Sequence, residues 1–96
     1  MQKLSEQEVV RRAAQLTGWN VQGGKLHREF KFRDFKQAMA FMAAAIDDIE
    51  KLDHHPEWAN VYNHVSVDLV THSANGITNK DFELAGVLDS VAANFQ

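Results

Sequence analysis

The chain has 96 residues, 45% of them hydrophobic and 24% charged, with five histidines, no cysteine and a formal net charge of −3. That length suits one small domain, 1–96, able to bury only roughly 60–65% of its unfolded surface, so association with further copies is a natural supplement. Disulfides, thiolate nucleophiles and Cys-based zinc sites are excluded, the acidic balance argues against a nucleic-acid surface, and no apolar run approaches the roughly 20 residues of a membrane span.

The opening residues Met1-Gln2-Lys3-Leu4-Ser5 lack the apolar stretch of a leader, so a cytoplasmic protein is expected. Ser5 with Glu8 three residues on forms a capping box and predicts a helix carrying Val9, Ala13 and Leu16 on one face, stopped by Gly18. Gly23-Gly24 between Trp19–Gln22 and Lys25–Phe32 predicts a hairpin. In its second arm Leu26, Arg28, Phe30 and Phe32 share one face, and Lys25, His27, Glu29 and Lys31 the other. Arg28, near the apolar face, is expected to snorkel or pair with an acid.

Asp34, with Gln37 three residues later, opens the strongest helix signal. Phe35, Ala38, Met39, Met42, Ala45, Ile46 and Ile49 read as one apolar stripe, ending near Glu50 or Lys51 because the residue before Pro56 is biased away from helical angles. The β-branched and aromatic run from Glu57 to His72, broken at Tyr62-Asn63, predicts strands over about 57–61 and 64–72. Asn75-Gly76 is a turn, and Thr78 with Asp81 caps a last helix whose stripe is Phe82, Leu84, Ala85, Leu88, Val91, Ala92 and Phe95. The order predicts an α+β fold, with a four-stranded antiparallel sheet and three helices packed on one face.

Asp53-His54-His55-Pro56-Glu57-Trp58 is the segment that invites chemistry. Two histidines beside carboxylates at an element boundary can exchange protons near neutral pH. The same pair could equally complement a helix C-terminus, and spacing alone leaves both readings open. Adjacent histidines in extended chain point to opposite faces and zinc asks for three or four ligands, so no metal is expected. His72 at a strand end is uninformative alone, His27 and His64 read as solvated, and Asp81 reads as a capping carboxylate.

Taken together, Glu50-Lys51-Leu52-Asp53-His54-His55-Pro56-Glu57-Trp58, Asn60-Val61-Tyr62-Asn63, Thr71-His72 and Asp81 closely resemble the pterin-4a-carbinolamine dehydratase family. Gly18-Trp19 and the run Phe30-Lys31-Phe32-Arg33-Asp34-Phe35 fit the same pattern, so the resemblance covers roughly residues 17–95. It implies the α+β fold read above and dehydration of a 4a-hydroxytetrahydropterin to the quinonoid dihydropterin, recycling the pterin of aromatic amino acid hydroxylases. It implies His54 and His72 as acid and base, and His55 as the residue orienting the pterin. Glu50, Asp53, Trp58, Thr71, Ser73 and Asp81 match its substrate-binding positions. No metal, nucleophile or redox cofactor is implied. The family forms dimers and tetramers, and in animals it also supplies a dimerisation cofactor of a homeodomain transcription factor, so a protein-binding regulator is the alternative. Val70 stands where animal members carry Ser, and Ala59 where they carry Phe.

Overall fold

A computed structural model describes residues 2–96; Met1, part of the segment read above for a leader, lies outside them. The described elements are α1 (Glu6–Ala13), β1 (Asn20–Gln22), β2 (Lys25–Lys31), α2 (Phe35–Leu52), β3 (Glu57–Val61), β4 (His64–Leu69), a short 3-10 turn (His72–Ala74) and α3 (Asn79–Ala93). The four strands form one antiparallel sheet in the order β1-β2-β4-β3. The fold is therefore α+β, as the order of signals predicted.

Register decides which side chains meet. Leu26 lies opposite Leu69, Arg28 opposite Val67, Phe30 opposite Val65, and Trp58 opposite Val67. Leu26, Phe30, Val65, Val67 and Leu69 are fully buried in one core with Phe41 and Ala45 of α2 and Leu84 and Leu88 of α3. Phe41 binds this core through rings, its centroid 5.0 Å from Phe30, 4.9 Å from Phe32 and 6.3 Å from Trp58. The opposite face carries Lys25, His27, Glu29, Lys31, Glu57, Ser66 and Asp68 and is polar.

Local chemistry sets the ends. Ser5 and Asp34 accept from the backbone N–H groups of Glu8 and Gln37, the N-cap half of the reading, while the Glu8 side chain pairs with Arg11 and does not complete the capping box read at Ser5. The Gln37 N–H, aided by Arg33, holds the Asp34 carboxyl below the usual carboxylate value. Gly23 and Gly24 both take positive φ, which the tight β1–β2 turn requires.

Four expectations need correction. The first helix ends at Ala13 and not near Gly18; the chain from Ala14 to Leu16 tightens into bonds three residues long, with Gln15 N–H on Arg12 and Leu16 N–H on Ala13. The last strand stops at Leu69 and not at His72, because Thr71 bonds back across to Gly76 and closes a small loop. The α2 stripe divides: Ala38, Ala45 and Ile49 are buried, whereas Phe35, Met39 and Ile46 are about half exposed, and Phe41, outside the stripe as read, is fully buried. His27 is not solvated, its side chain being only 13% exposed and bonded to Asp68.

Candidate active site

Three histidines named from the sequence lie at chain reversals around one end of the sheet. Asp53 caps α2 in the left-handed region at φ 50°, turning the chain out of the helix so that His54, His55 and Pro56 lead into β3. His72 begins the 3-10 turn just past β4. None of the three hydrogen-bonds another; each is bonded instead to its own carboxylate.

His54 is the buried member, its side chain 11% exposed. Its Nε2 donates to Oδ1 of Asp81 at 2.6 Å. Asp81 is fully buried, and its second oxygen accepts from Thr71 Oγ1 at 2.9 Å and from the backbone N–H of Thr78 at 2.8 Å. Thr71 and Thr78 hydroxyls lie 2.7 Å apart, and Thr78 Oγ1 accepts from the Lys80 N–H. Proton direction follows from these partners. An ionised Asp81 can only accept, so Thr71 gives its single proton to Asp81, and Thr78 in turn donates to Thr71. Every bond on the carboxylate is thus an incoming donor, and His54 carries its proton on Nε2. In the neutral ring Nδ1 is left as the free lone pair.

The capping box read from Thr78 and Asp81 is present, and it does two tasks. Asp81 starts α3 and also anchors His54 and the residue preceding His72. From its spacing alone Asp81 reads as a capping carboxylate, and the family resemblance adds it to the site positions; its total burial is what separates it from an ordinary cap.

His55 and Glu50 form an exposed pair, Nε2 to Oε2 at 2.6 Å, across the C-terminal turn of α2. His72, also exposed, donates from Nε2 to Glu57 Oε2 at 2.8 Å. The other oxygen of Glu57 accepts from Lys25 Nζ at 2.6 Å. Lys25 and then His72 hold the Glu57 carboxyl below its usual value, and the same contact raises Lys25. Sequence reading left Lys25 and Glu57 out of the site. Glu57 lies inside the His-His-Pro motif, and beyond that the signal is strand parity: Glu57 and His27 both stand opposite Asp68, on the uncovered face of the sheet.

The remaining positions divide. Thr71 is buried in the Asp81 network, Ser73 is exposed on the turn after His72, and Asp53 is exposed at the helix cap. Trp58 is half-buried against Phe41 on the helix-covered face, a packing position as much as a wall. A shallow cavity of about 220 Å³ lies against Glu57, Trp58, Ala59, Ser66 and Asp68, beside the carboxylate that holds His72. A larger one of about 400 Å³ lies between the N-terminal segment, Val21 and the Asn75–Ile77 chain, lined by none of the three histidines. Among the described residues no group of three or more His, Asp or Glu side chains is arranged to hold a metal ion.

This arrangement can trade protons at a polar surface. Which chemistry it belongs to is narrowed by kinship. The family model for pterin 4 alpha carbinolamine dehydratase matches residues 2–91. The chain belongs to that family. It is 53% identical over 91 residues to a protein of Solibacter usitatus (strain Ellin6076) provisionally named a pterin-4-alpha-carbinolamine dehydratase, covering 95% of this chain and 96% of that one. A relative with the same provisional name from Paraburkholderia xenovorans (strain LB400) is 43% identical, over 95% of this chain and 97% of that one. A crystal structure described as a transcriptional coactivator/pterin dehydratase from Brucella melitensis superposes with a TM-score of 0.89 at 47% identity, covering 94% of this chain and 98% of that chain. The resemblance carried by the His-His-Pro and Thr-His motifs is thereby matched at the level of family and fold.

Proposed function

We propose that this protein dehydrates a 4a-hydroxytetrahydropterin, with His54 and His72 as the proton-transfer pair and His55 orienting the pterin. What carries the reading is the His54–Asp81–Thr71 network in a chain of this family: a nearly buried imidazole, fixed by a buried carboxylate, tied to the residue before a second, exposed imidazole.

The reaction needs little. The C4a–O bond breaks, and an imidazolium gives its proton to the departing oxygen, which leaves as water. The lone pair of the neighbouring ring nitrogen forms the new C=N bond while a neutral imidazole takes that nitrogen's proton. Atoms and charge balance within the histidine pair, and each positioned acid or base contributes typically 10²–10⁴-fold. Glu50, Asp53 and Ser73, all exposed near the histidines, supply acceptors and a hydroxyl for the pterin's amino and amide N–H groups. Trp58, Thr71 and Asp81 support the site from beneath. The product is the quinonoid dihydropterin, which returns the cofactor of aromatic amino acid hydroxylases to its reductive cycle. A cytoplasmic location and a homodimer or homotetramer belong to the same reading.

A second role has one observation in its favour. Phe35, Met39 and Ile46 present an apolar strip on the outer side of α2, a surface suited to a protein partner. The coactivator in the description of the Brucella melitensis structure fits such a use.

A stopped assay of 4a-hydroxytetrahydropterin dehydration tests the main reading. The wild type should accelerate water loss, and His54→Ala and His72→Ala should each lower kcat by about 10²–10⁴-fold with the fold retained by circular dichroism. Full rates in both variants would sink it. Capture of a transcription factor undiminished by His54→Ala would support the second role.

A further inference from the structure

His72 is the most exposed of the three site histidines, and an exposed imidazole ordinarily samples both tautomers and several ring orientations. Here it does not stand alone. Nε2 is bonded to Glu57 Oε2 at 2.8 Å, and Glu57 is fixed from its other side by Lys25 at 2.6 Å. These three residues come from three places: Lys25 opens β2, Glu57 opens β3, and His72 follows β4. Because β4 lies between β2 and β3, Lys25 and Glu57 reach toward each other across it on the uncovered face. The bridge spans the sheet at the end where the site lies.

We propose that Glu57 is a positioning residue for His72, itself held by Lys25, and that the pair fixes the imidazole with its proton on Nε2. The proposal rests on the dehydratase reading above and names which atom of His72 works. A carboxylate offers only acceptors, so the ring nitrogen facing it must carry hydrogen. The lone pair of neutral His72 then sits on Nδ1, and Nδ1 is the nitrogen that takes or returns the pterin's proton.

His54 is built on the same plan, with Nε2 on Asp81. The two imidazoles are thus presented through the same ring atom, one from a buried support and the other from an exposed one. Lys25 matters because Glu57 without it is a free, rotating side chain. With both carboxylate oxygens engaged, the plane of the carboxylate and hence of the ring is set.

Two readouts test this on the full-length protein. The first is the ring nitrogen spectrum of 15N-labelled histidine at a pH where His72 is neutral. In the wild type, Nε2 of His72 should be the protonated nitrogen and Nδ1 the bare one. In Glu57→Ala the two should mix. The second readout is steady-state dehydration. Glu57→Ala should lower kcat roughly ten-fold with KM within about two-fold, since tautomer and orientation change while the pterin's own contacts stay. Lys25→Ala should fall about three-fold, and Lys25→Arg, which restores the ion pair, should return most of that loss.

An unchanged His72 tautomer in Glu57→Ala, or an unchanged kcat, overturns the proposal. A loss that appears wholly in KM overturns it too, because it would make Glu57 a binding group. If the wild type does not dehydrate the pterin but His72 still changes tautomer in Glu57→Ala, the dehydratase reading fails while the positioning by Glu57 stands.

Discussion

His54 and Asp81, 27 positions apart in the chain, meet through a 2.6 Å hydrogen bond, and the carboxylate in that bond is also the one that starts α3. A buried carboxylate with only donors around it tolerates no neutral substitute. Asp81→Asn brings an amide N–H2 against His54 Nε2–H, Thr71 or the Thr78 amide. Leaving such donors facing one another should cost about 2–4 kcal/mol. The released His54 ring should lower dehydration by roughly 10²-fold. Urea denaturation and the dehydration assay together check both figures; a variant as stable as the wild type would contradict the burial argument.

His27 predicts a pH effect away from the site. Burial lowers its pKa, but hydrogen bonds to Asp68 and Glu29 outweigh that, and the net shift is upward from 6.5. The folded protein therefore holds this proton more tightly than the unfolded chain. The stabilisation is fully present below the unfolded value and is lost as pH rises through the higher folded value. His27→Gln should remove that part of the pH dependence. The wild-type advantage over His27→Gln, a few tenths to about 1 kcal/mol at about pH 5, should vanish by about pH 9. Urea midpoints at the two pH values measure it.

The outer side of α2 predicts an assembly. Phe35, Met39 and Ile46 are 50%, 42% and 52% exposed on one helix, an uncommon concentration of apolar surface for a lone small domain. Ile46→Lys combined with Met39→Lys should shift the protein to a smaller species in sedimentation or light scattering, with circular dichroism unchanged. Equal mass for wild type and variant would show that this strip does not join copies.

Gly18 predicts a backbone requirement. Its φ is +90°, and an added Cβ would lie 3.0 Å from both Nε and Cζ of Arg28. Arg28 is itself bonded to Asp89 at 2.7 Å and stacked over Phe30, 4.3 Å from the ring centroid. Burial raises the Asp89 carboxyl above its usual value against the pull of Trp19 and Arg28, so the cluster has little slack. Gly18→Ala should destabilise by about 1–3 kcal/mol in thermal or urea unfolding.

Local signals were legible in the sequence wherever the cause is local. Ser5, Asp34 and Thr78 cap the helices assigned to them, and β3 runs from Glu57 to Val61 as read. The α2 stripe was misread because its apolar residues cover two faces, and periodicity counts them together. The end of β4 was misread because the Thr71–Gly76 bridge, a pairing within the loop, overrides strand propensity. The histidines could be named from their motif, and Asp81 and Glu50 from the family resemblance, but not the carboxylate that holds His72. Glu57 sits in the same motif as His54 and still serves His72, 15 positions away, through a contact that only the folded sheet creates. Lys25, 32 positions from Glu57, carried no signal beyond its place in an alternating strand.

The capping box of α3 makes helix and site one thermodynamic object. One carboxylate starts the helix through Thr78 and holds His54 and Thr71, so on the dehydratase reading fraying of that single helical turn would loosen the His54 ring before the sheet had begun to open. The first loss on warming would then be of catalysis, and it would return as the turn rewinds.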